Sequence, residues 1–305
     1  MRDLLIKLQT VDRRWVYLAI AVACAIPFIA EAIGKPINLS VYPSRETQGV
    51  FDTINNIPRD ANGNPTKVVL IDSTWDAGSM GENEGQAEAI IDHLFRERIP
   101  FIVTCIGNEK APQFVNGVIE RFTQDTIVDG KVVRKAKYPG RVYGKDWVNL
   151  GFSVPWGWQS IQQIMKDIHV QYKADYQGTP LEEIPLMQRV RNADDIYMIF
   201  AVTYSPSEDW VSFAHGIYGT PVAFGCAGIQ STTTYRFIPS GQMVGMLVSV
   251  RGSAEYDALL YPDDRSQRVN KGTQLIVPLA FGHLVIIFAI IMGNIGYFAA
   301  RRRRS

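Results

Sequence analysis

The chain has 305 residues, of which 47% are hydrophobic, 20% are charged and three are cysteines. This composition excludes a disordered or fibrous chain, and three cysteines are too few for a small disulfide-rich scaffold. Residues 1–14 carry a charge of +2 and residues 301–304 carry +4, so the net charge of +1 leaves −5 for residues 15–300. Because contacts to nucleic-acid phosphates need clustered Lys and Arg, we expect no nucleic-acid partner.

The first predicted element is an apolar helix near the N-terminus. Residues 15–30 are uncharged and follow Arg13 and Arg14, which indicates a membrane helix over 15–33 with its basic end in the cytoplasm. A cleaved signal peptide is the alternative, because residues 30–32 (Ala-Glu-Ala) resemble a signal-peptidase site. Residues 34–66 contain several Pro and Asn residues and are expected to form an irregular stalk.

Short apolar runs of buried-strand type then alternate with helical patterns. The strands are predicted over 67–72, 100–106, 146–154, 195–203 and 221–225, the last of these closing the sheet. The helices are predicted over 84–98, 111–122, 158–172, 207–218 and 240–260, with a charged hairpin over 128–137. This alternation predicts an α/β fold with a doubly wound, mostly parallel sheet, Rossmann-like or flavodoxin-like.

Small residues recur every four positions in the predicted helix 240–260. They are Gly241, Gly245, Ser249 and Ser253. A stripe of this kind lets another backbone approach closely, either the protein's own sheet or a second subunit.

The last predicted element is a second membrane helix over 272–300. Residues 275–300 contain no formal charge, and the basic tail 301–305 follows at once. Since positive residues stay in the cytoplasm, we expect 1–14 and 301–305 to be cytoplasmic and the domain 67–271 to be extracytoplasmic. His283 and Asn294 lie within this apolar segment and are candidates for contact with another membrane helix.

Ligands of such folds bind outside the carboxyl ends of the strands. The polar residues that follow the predicted strands are therefore the candidate ligand rim. They are Asp72, Ser73, Asp76, Asn108, Glu109, Ser205, Ser207, Cys226 and Gln230. The alternative is that they are ordinary turn and helix-capping residues. No metal-ligand spacing and no phosphate-binding glycine motif is present, so neither a metal nor a cofactor is expected.

Residues 226–230 (Cys-Ala-Gly-Ile-Gln) resemble the Cys-x-Gly-x-Gln turn of class I glutamine amidotransferases. That family has Gly two residues before the Cys, where this chain has Phe224. Its catalytic His lies downstream, but here the only downstream histidine is His283 in the apolar segment. No catalytic residue of that family can therefore be assigned to this chain from the resemblance.

The whole layout also resembles the membrane-anchored accessory subunits of gliding-type ABC transporters. These carry an extracytoplasmic amidotransferase-like domain between an N-terminal anchor and a C-terminal membrane helix. Residues 8–14 and 240–260 are similar to uncharacterised prokaryotic membrane proteins.

The sequence thus leads us to expect a non-catalytic subunit of a prokaryotic membrane complex. Its partners would be the lipid bilayer and other integral membrane proteins or copies of itself. A small-ligand binding or sensing domain is one alternative, and an amidase or hydrolase that depends on Cys226 is another.

Overall fold

A computed structural model describes residues 12–155, 157–205 and 208–301, the last three by their backbone alone. The chain divides into two compact units: Val41–Thr273, and the segments on either side of it. The predictions for Ser207 and for most of the two basic ends lie outside the described residues.

The unit Val41–Thr273 is built on a six-stranded sheet in which all pairings are parallel. The strands are β1 (Val68–Thr74), β2 (Phe101–Cys105), β3 (Trp147–Phe152), β4 (Ile196–Thr203), β5 (Val222–Cys226) and β6 (Gly245–Val248). Their spatial order is β3-β2-β1-β4-β5-β6, which is the Rossmann order. The order reverses between β1 and β4, which pair with Ile71 opposite Phe200. A separate antiparallel hairpin joins Thr126–Val128 to Lys131–Arg134.

Seven helices of at least nine residues accompany these strands in the described part of the chain. They are α1 (Arg13–Ala32), α2 (Arg45–Asn55), α3 (Met80–Arg96), α4 (Ala111–Thr123), α5 (Trp158–Lys166), α6 (Ser249–Leu260) and α7 (Lys271–Arg301). Shorter α-helical turns cover Ile168–Gln171, Pro185–Gln188, Gly216–Tyr218 and Ser231–Thr234. Turns of 3₁₀-helix cover Leu181–Glu183, Ala193–Asp195, Gly228–Gln230, Tyr235–Phe237 and Arg265–Gln267, and a π-helical segment covers Val211–His215.

Alternate residues of β1 enter two different cores, because side chains of a strand point to opposite faces. Val69 and Ile71 pack with α2, α3, α4 and α6 in one core. Val68 and Leu70 pack with α5 and the short turns of residues 168–190 in the other. Helices therefore cover both faces of the sheet, and the prediction of a parallel, Rossmann-like α/β fold is confirmed.

The expectation of an irregular stalk over 34–66 is wrong for residues 45–55. These residues form α2, whose Val50 and Ile54 are fully buried in the first core. The Ser44 side chain caps this helix by accepting a hydrogen bond from the Thr47 backbone N–H. Val50, Phe51 and Ile54 are the apolar side chains of α2 that contact this core, and so short a pattern of apolar residues did not predict the helix.

The prediction of one helix over 240–260 is also wrong. Residues 245–248 form the edge strand β6, which pairs with β5, and α6 begins only at Ser249. Gly241 lies in the preceding turn with φ of 76°. The four small residues thus occupy a turn, a strand and a helix, and they do not form a stripe on one helix. A four-residue strand is too short for its periodicity to be distinguished from that of a helix.

Two other predicted helices are interrupted. Residues 158–172 break at Asp167, whose carboxylate accepts the His169 backbone N–H at 2.9 Å and starts a new turn. Within the predicted helix 207–218, Val211–His215 is a π-helical segment and Gly216–Tyr218 is one α-helical turn.

Two helices are long and apolar enough to cross a membrane, judged by length and composition. They are α1 and residues 271–298 of α7. Only 11% of the apolar stretch of α1 and 17% of that of α7 is buried. Such low burial differs from that of a core helix in a globular domain, which is covered on most sides.

Candidate functional site

A cavity of about 560 Å³ opens outside the carboxyl ends of β1, β2 and β4. This is the position where the strand order reverses and where Rossmann-like sheets bind their ligands. The lining residues come from the loops after these strands and from α4. They are Thr74, Trp75, Asp76, Ala77, Gly78, Gly107, Asn108, Glu109, Lys110, Phe114, Thr203, Tyr204 and Ser205. The volume lies within the range of small-molecule sites.

Four of the predicted rim residues line this cavity: Asp76, Asn108, Glu109 and Ser205. Asn108 fixes the loop after β2, because its Nδ2 donates to the Trp75 carbonyl at 2.9 Å and its Oδ1 accepts the Lys110 N–H at 2.9 Å. The Asp76 carboxylate accepts the Ser79 N–H at 2.9 Å just before α3. The loops on both sides of the cavity are therefore held by local hydrogen bonds before any ligand binds.

Aromatic side chains form the apolar part of the wall. Trp75 and Phe114 stack with ring centroids 5.3 Å apart, and Tyr204 is 47% exposed at the mouth. The rim prediction missed Phe114 and Lys110. Phe114 is part of an amphipathic helix, and nothing in that pattern separates a cavity wall from a core position.

Asp72 and Ser73 lie beneath the cavity and do not belong to its lining. The strand β1 continues to Thr74, two residues beyond its predicted end, so both side chains are buried. Asp72 accepts the Trp210 indole N–H at 2.8 Å and the Thr74 hydroxyl at 2.7 Å. Burial raises the pKa of the Asp72 carboxyl. These two residues support the floor of the cavity from inside.

Cys226 and Gln230 also lie outside the lining. Cys226 is fully buried, and its carbonyl accepts a hydrogen bond from Nε2 of Gln86 at 2.9 Å. The same amide group donates to the Leu247 carbonyl at 3.1 Å, so Gln86 joins the ends of β5 and β6. No pattern in the sequence marks this glutamine, which lies one residue from the apolar face of α3.

The structure provides no activated thiolate at Cys226. Burial, with a smaller effect of the nearby Glu82 carboxylate, raises the pKa of this thiol to about 12. Burial and Asp72 raise the pKa of the Cys105 thiol as well. In the part of the chain that the structure covers, no histidine hydrogen-bonds to Cys226, and no group of three His, Cys, Asp or Glu residues could hold a metal ion.

The predicted interface residues occupy different surroundings. Ser253 packs against the first turn of α7, where a Cβ on Gly272 would meet the Ser253 side chain. In the other unit, α1 and α7 approach closely, with Cys24 Sγ donating to the Pro278 carbonyl at 3.4 Å. His283 is exposed on α7, and Nδ2 of the exposed Asn294 donates to the Ile290 carbonyl at 2.9 Å.

These features define a Rossmann-like α/β protein with a preformed cavity at its topological switch point. No family model, curated protein or solved structure matches the chain.

Proposed function

We propose that this chain is a membrane-anchored binding protein whose α/β unit recognises a small polar ligand in the cavity between β1 and β4. The observation that carries the proposal is the convergence of three strand-end loops on one cavity of about 560 Å³. Its wall combines stacked aromatic rings with the polar groups of Asp76, Asn108 and Glu109. This mixture of apolar walls and a few polar groups is typical of small-molecule sites.

Ligand binding is tested by thermal unfolding of the full chain with a panel of amino acids, monosaccharides and nucleosides. A ligand that binds only the folded state at 100 times its Kd stabilises it by about 2.7 kcal/mol, so its class should raise the Tm by several degrees. Tyr204→Ala should reduce that increase because it removes an aromatic ring from the cavity mouth. Tyr218→Ala is the matched control, since Tyr218 is equally exposed (44%) and outside the cavity. The proposal fails if no class raises the Tm, or if both variants lose the increase equally.

In this proposal, α1 and α7 are the helices that anchor the protein in the membrane. Both helices are apolar and largely uncovered, and Arg13 and Arg14 begin the first of them. With the arginines 301–304 after the second apolar segment, the positive-inside rule favours cytoplasmic termini and an extracytoplasmic α/β unit.

A second candidate function, a subunit of a prokaryotic membrane complex, is favoured by His283. This imidazole is exposed on an apolar helix, and it makes no hydrogen bond within the described residues. Polar side chains in a membrane generally find a partner in a neighbouring helix. The partner would be another integral membrane protein or a second copy of this chain.

One experiment tests both the location and the complex. A membrane-impermeant amine cross-linker added to intact cells should modify lysines of the α/β unit and produce discrete species of higher mass. If lysines react only after permeabilisation, the extracytoplasmic location is wrong. If they react but only the monomer mass appears, in cells and after mild solubilisation, the complex is wrong and the ligand-binding proposal stands alone.

A further inference from the structure

A second cavity, of about 650 Å³, lies at the opposite edge of the sheet from the proposed ligand site. Pro65, Pro100 and Asp146 line it, and these residues precede β1, β2 and β3. The remaining wall comes from the turn after α3, from residues 138–145 and from residues 185–189. All of these residues belong to the unit Val41–Thr273.

The charges around this cavity are strongly unbalanced. Four cationic residues line it, against one carboxylate, that of Asp146. They are Arg98, Arg141, Lys145 and Arg189. Residues 15–300 as a whole sum to −5, so this concentration of positive charge runs against the composition of the domain. Cations that converge on one concave surface repel one another unless an anion lies between them.

Most of these cations have no partner of their own. Arg98, Lys145 and Arg189 are exposed residues. Their side chains make no hydrogen bond or ion pair with any residue that the structure describes. Arg141 is different, because its Nη2 donates to the Phe95 carbonyl and its Nη1 lies 3.8 Å from Asp146. The Asp146 carboxylate is itself occupied by the Val142 backbone N–H at 2.7 Å.

One anchored arginine thus lies in the same cavity wall as three cationic side chains that remain free to bind. Guanidinium groups present a planar fork of N–H donors that matches the oxygens of a phosphate group, and a lysine adds a mobile point charge. A volume of about 650 Å³ accommodates a small molecule rather than an extended polymer.

We propose that this cavity at the amino ends of β1, β2 and β3 binds the phosphate group of a small phosphorylated molecule, through Arg98, Lys145 and Arg189. The site is separate from the cavity between β1 and β4 and does not depend on the function proposed for it. Its ligand is recognised by charge and by the geometry of the phosphate oxygens.

The test is calorimetric titration of sodium pyrophosphate into the full chain in nanodiscs of phosphatidylcholine, against sodium chloride of equal ionic strength. We expect a single site whose Kd rises about tenfold or more in Arg98→Gln and again in Arg189→Gln, since each variant loses a charge-assisted hydrogen bond. Arg265→Gln removes the same charge from an exposed residue outside the cavity and should leave the Kd unchanged. All three residues are exposed, and circular dichroism establishes that each variant is folded.

Three results would overturn the proposal. They are no binding beyond the chloride control, unchanged binding in the double variant Arg98→Gln/Arg189→Gln, and an equal loss in Arg265→Gln. A second set of nanodiscs containing phosphatidylglycerol distinguishes the source of the phosphate. If phosphatidylglycerol weakens pyrophosphate binding to the wild-type chain, and this effect depends on Arg98 and Arg189, the phosphate group belongs to a lipid headgroup. If the Kd is unchanged, the ligand is a soluble molecule.

Discussion

Gly49→Ala is expected to destabilise the α/β unit by about 3 kcal/mol, although alanine is the better helix former. Gly49 lies in α2, where its backbone crosses the chain just before β6. A Cβ built on Gly49 would lie under 3.0 Å from the Val244 carbonyl oxygen, a backbone atom that cannot rotate away. A helical Gly→Ala change normally gains up to about 1 kcal/mol, and overpacking of this kind typically costs about 1–3 kcal/mol or more.

The glycine on the other side of this contact, Gly245, also has no room for a side chain. A Cβ on Gly245 in β6 would lie equally close to the Glu46 carbonyl oxygen of α2. Neither glycine is required by its backbone conformation, since neither has a positive φ. Both are needed because a helix and an edge strand approach each other here with no side chain between them.

Gly117→Ala is the matched control for Gly49→Ala. Gly117 is also in the interior of a helix, α4, but a Cβ there would meet nothing within 4 Å. This variant should therefore gain about 0.5–1 kcal/mol from the lower entropy of its unfolded chain. Urea unfolding of the two variants should give free-energy changes of opposite sign. If both variants are stabilised, α2 does not pack on the edge strand in the way described.

The contact between α2 and β6 also shows which parts of the fold could not be predicted from the sequence. The central strands β1, β2 and β4 consist mostly of continuous apolar runs, so their approximate positions and the parallel sheet could be predicted from the pattern of the sequence. The edge strand β6 and the helix α2 are short, and each is held by the other through Gly49 and Gly245. Such a contact between distant segments leaves no periodic pattern in either of them.

The candidate site was predictable to a similar degree. The rule that ligands bind at strand carboxyl ends identified Asp76, Asn108, Glu109 and Ser205, which do line one cavity. It also included Asp72, Ser73, Cys226 and Gln230, which do not. Whether a residue at a strand end faces solvent or the interior depends on the last residue of the strand, and a shift of two residues buried Asp72. The cationic cavity at the other edge was missed because its four basic residues come from three segments that lie far apart in sequence.

Asp257→Asn is expected to remove a pH dependence that the wild-type α/β unit carries between about pH 4 and pH 7. Asp257 is almost fully buried in α6, and burial raises the pKa of its carboxyl from 3.8 to about 7. Hydrogen bonds from Thr273 and Asn270 lower this pKa in part, and smaller effects come from Asp92, which raises it, and from Lys137, which lowers it. Oδ2 of Asp257 accepts the Asn270 N–H at 3.1 Å and the Thr273 hydroxyl at 2.7 Å, which ties α6 to the start of α7.

The direction of the pH effect follows from proton binding. Between these two pKa values the folded state holds the proton of Asp257 more tightly than the unfolded state does, so raising the pH destabilises the fold. The full contribution is present below pH 4 and is lost as the pH passes through about 7. With 1.36 kcal/mol for each pKa unit, the loss between pH 5 and pH 8 is on the order of 3 kcal/mol.

Other groups titrate in the same range, so the measurement has to be a difference between variants. Burial, with a smaller effect of Arg96, lowers the pKa of the His93 imidazole to about 3. This histidine contributes stability that grows as the pH rises toward 6.5, which opposes the effect of Asp257. Because His93 is present in both proteins, its contribution cancels when Asp257→Asn is compared with the wild type at each pH.

Unfolding free energies at pH 5 and pH 8 provide the comparison. The unfolding free energy of Asp257→Asn minus that of the wild type should be higher at pH 8 than at pH 5 by on the order of 3 kcal/mol. The reason is that the amide keeps an acceptor oxygen and never ionises.

Asp264→Asn is the control. Hydrogen bonds from Ser266 and Gln267 lower the pKa of the Asp264 carboxyl, so its titration lies below this window and its variant should follow the wild-type pH dependence. An Asp257→Asn protein whose stability changes with pH as the wild type's does would show that this carboxyl keeps one protonation state between pH 5 and pH 8. The attachment of the start of α7 to α6 would then not weaken as the pH rises through this range.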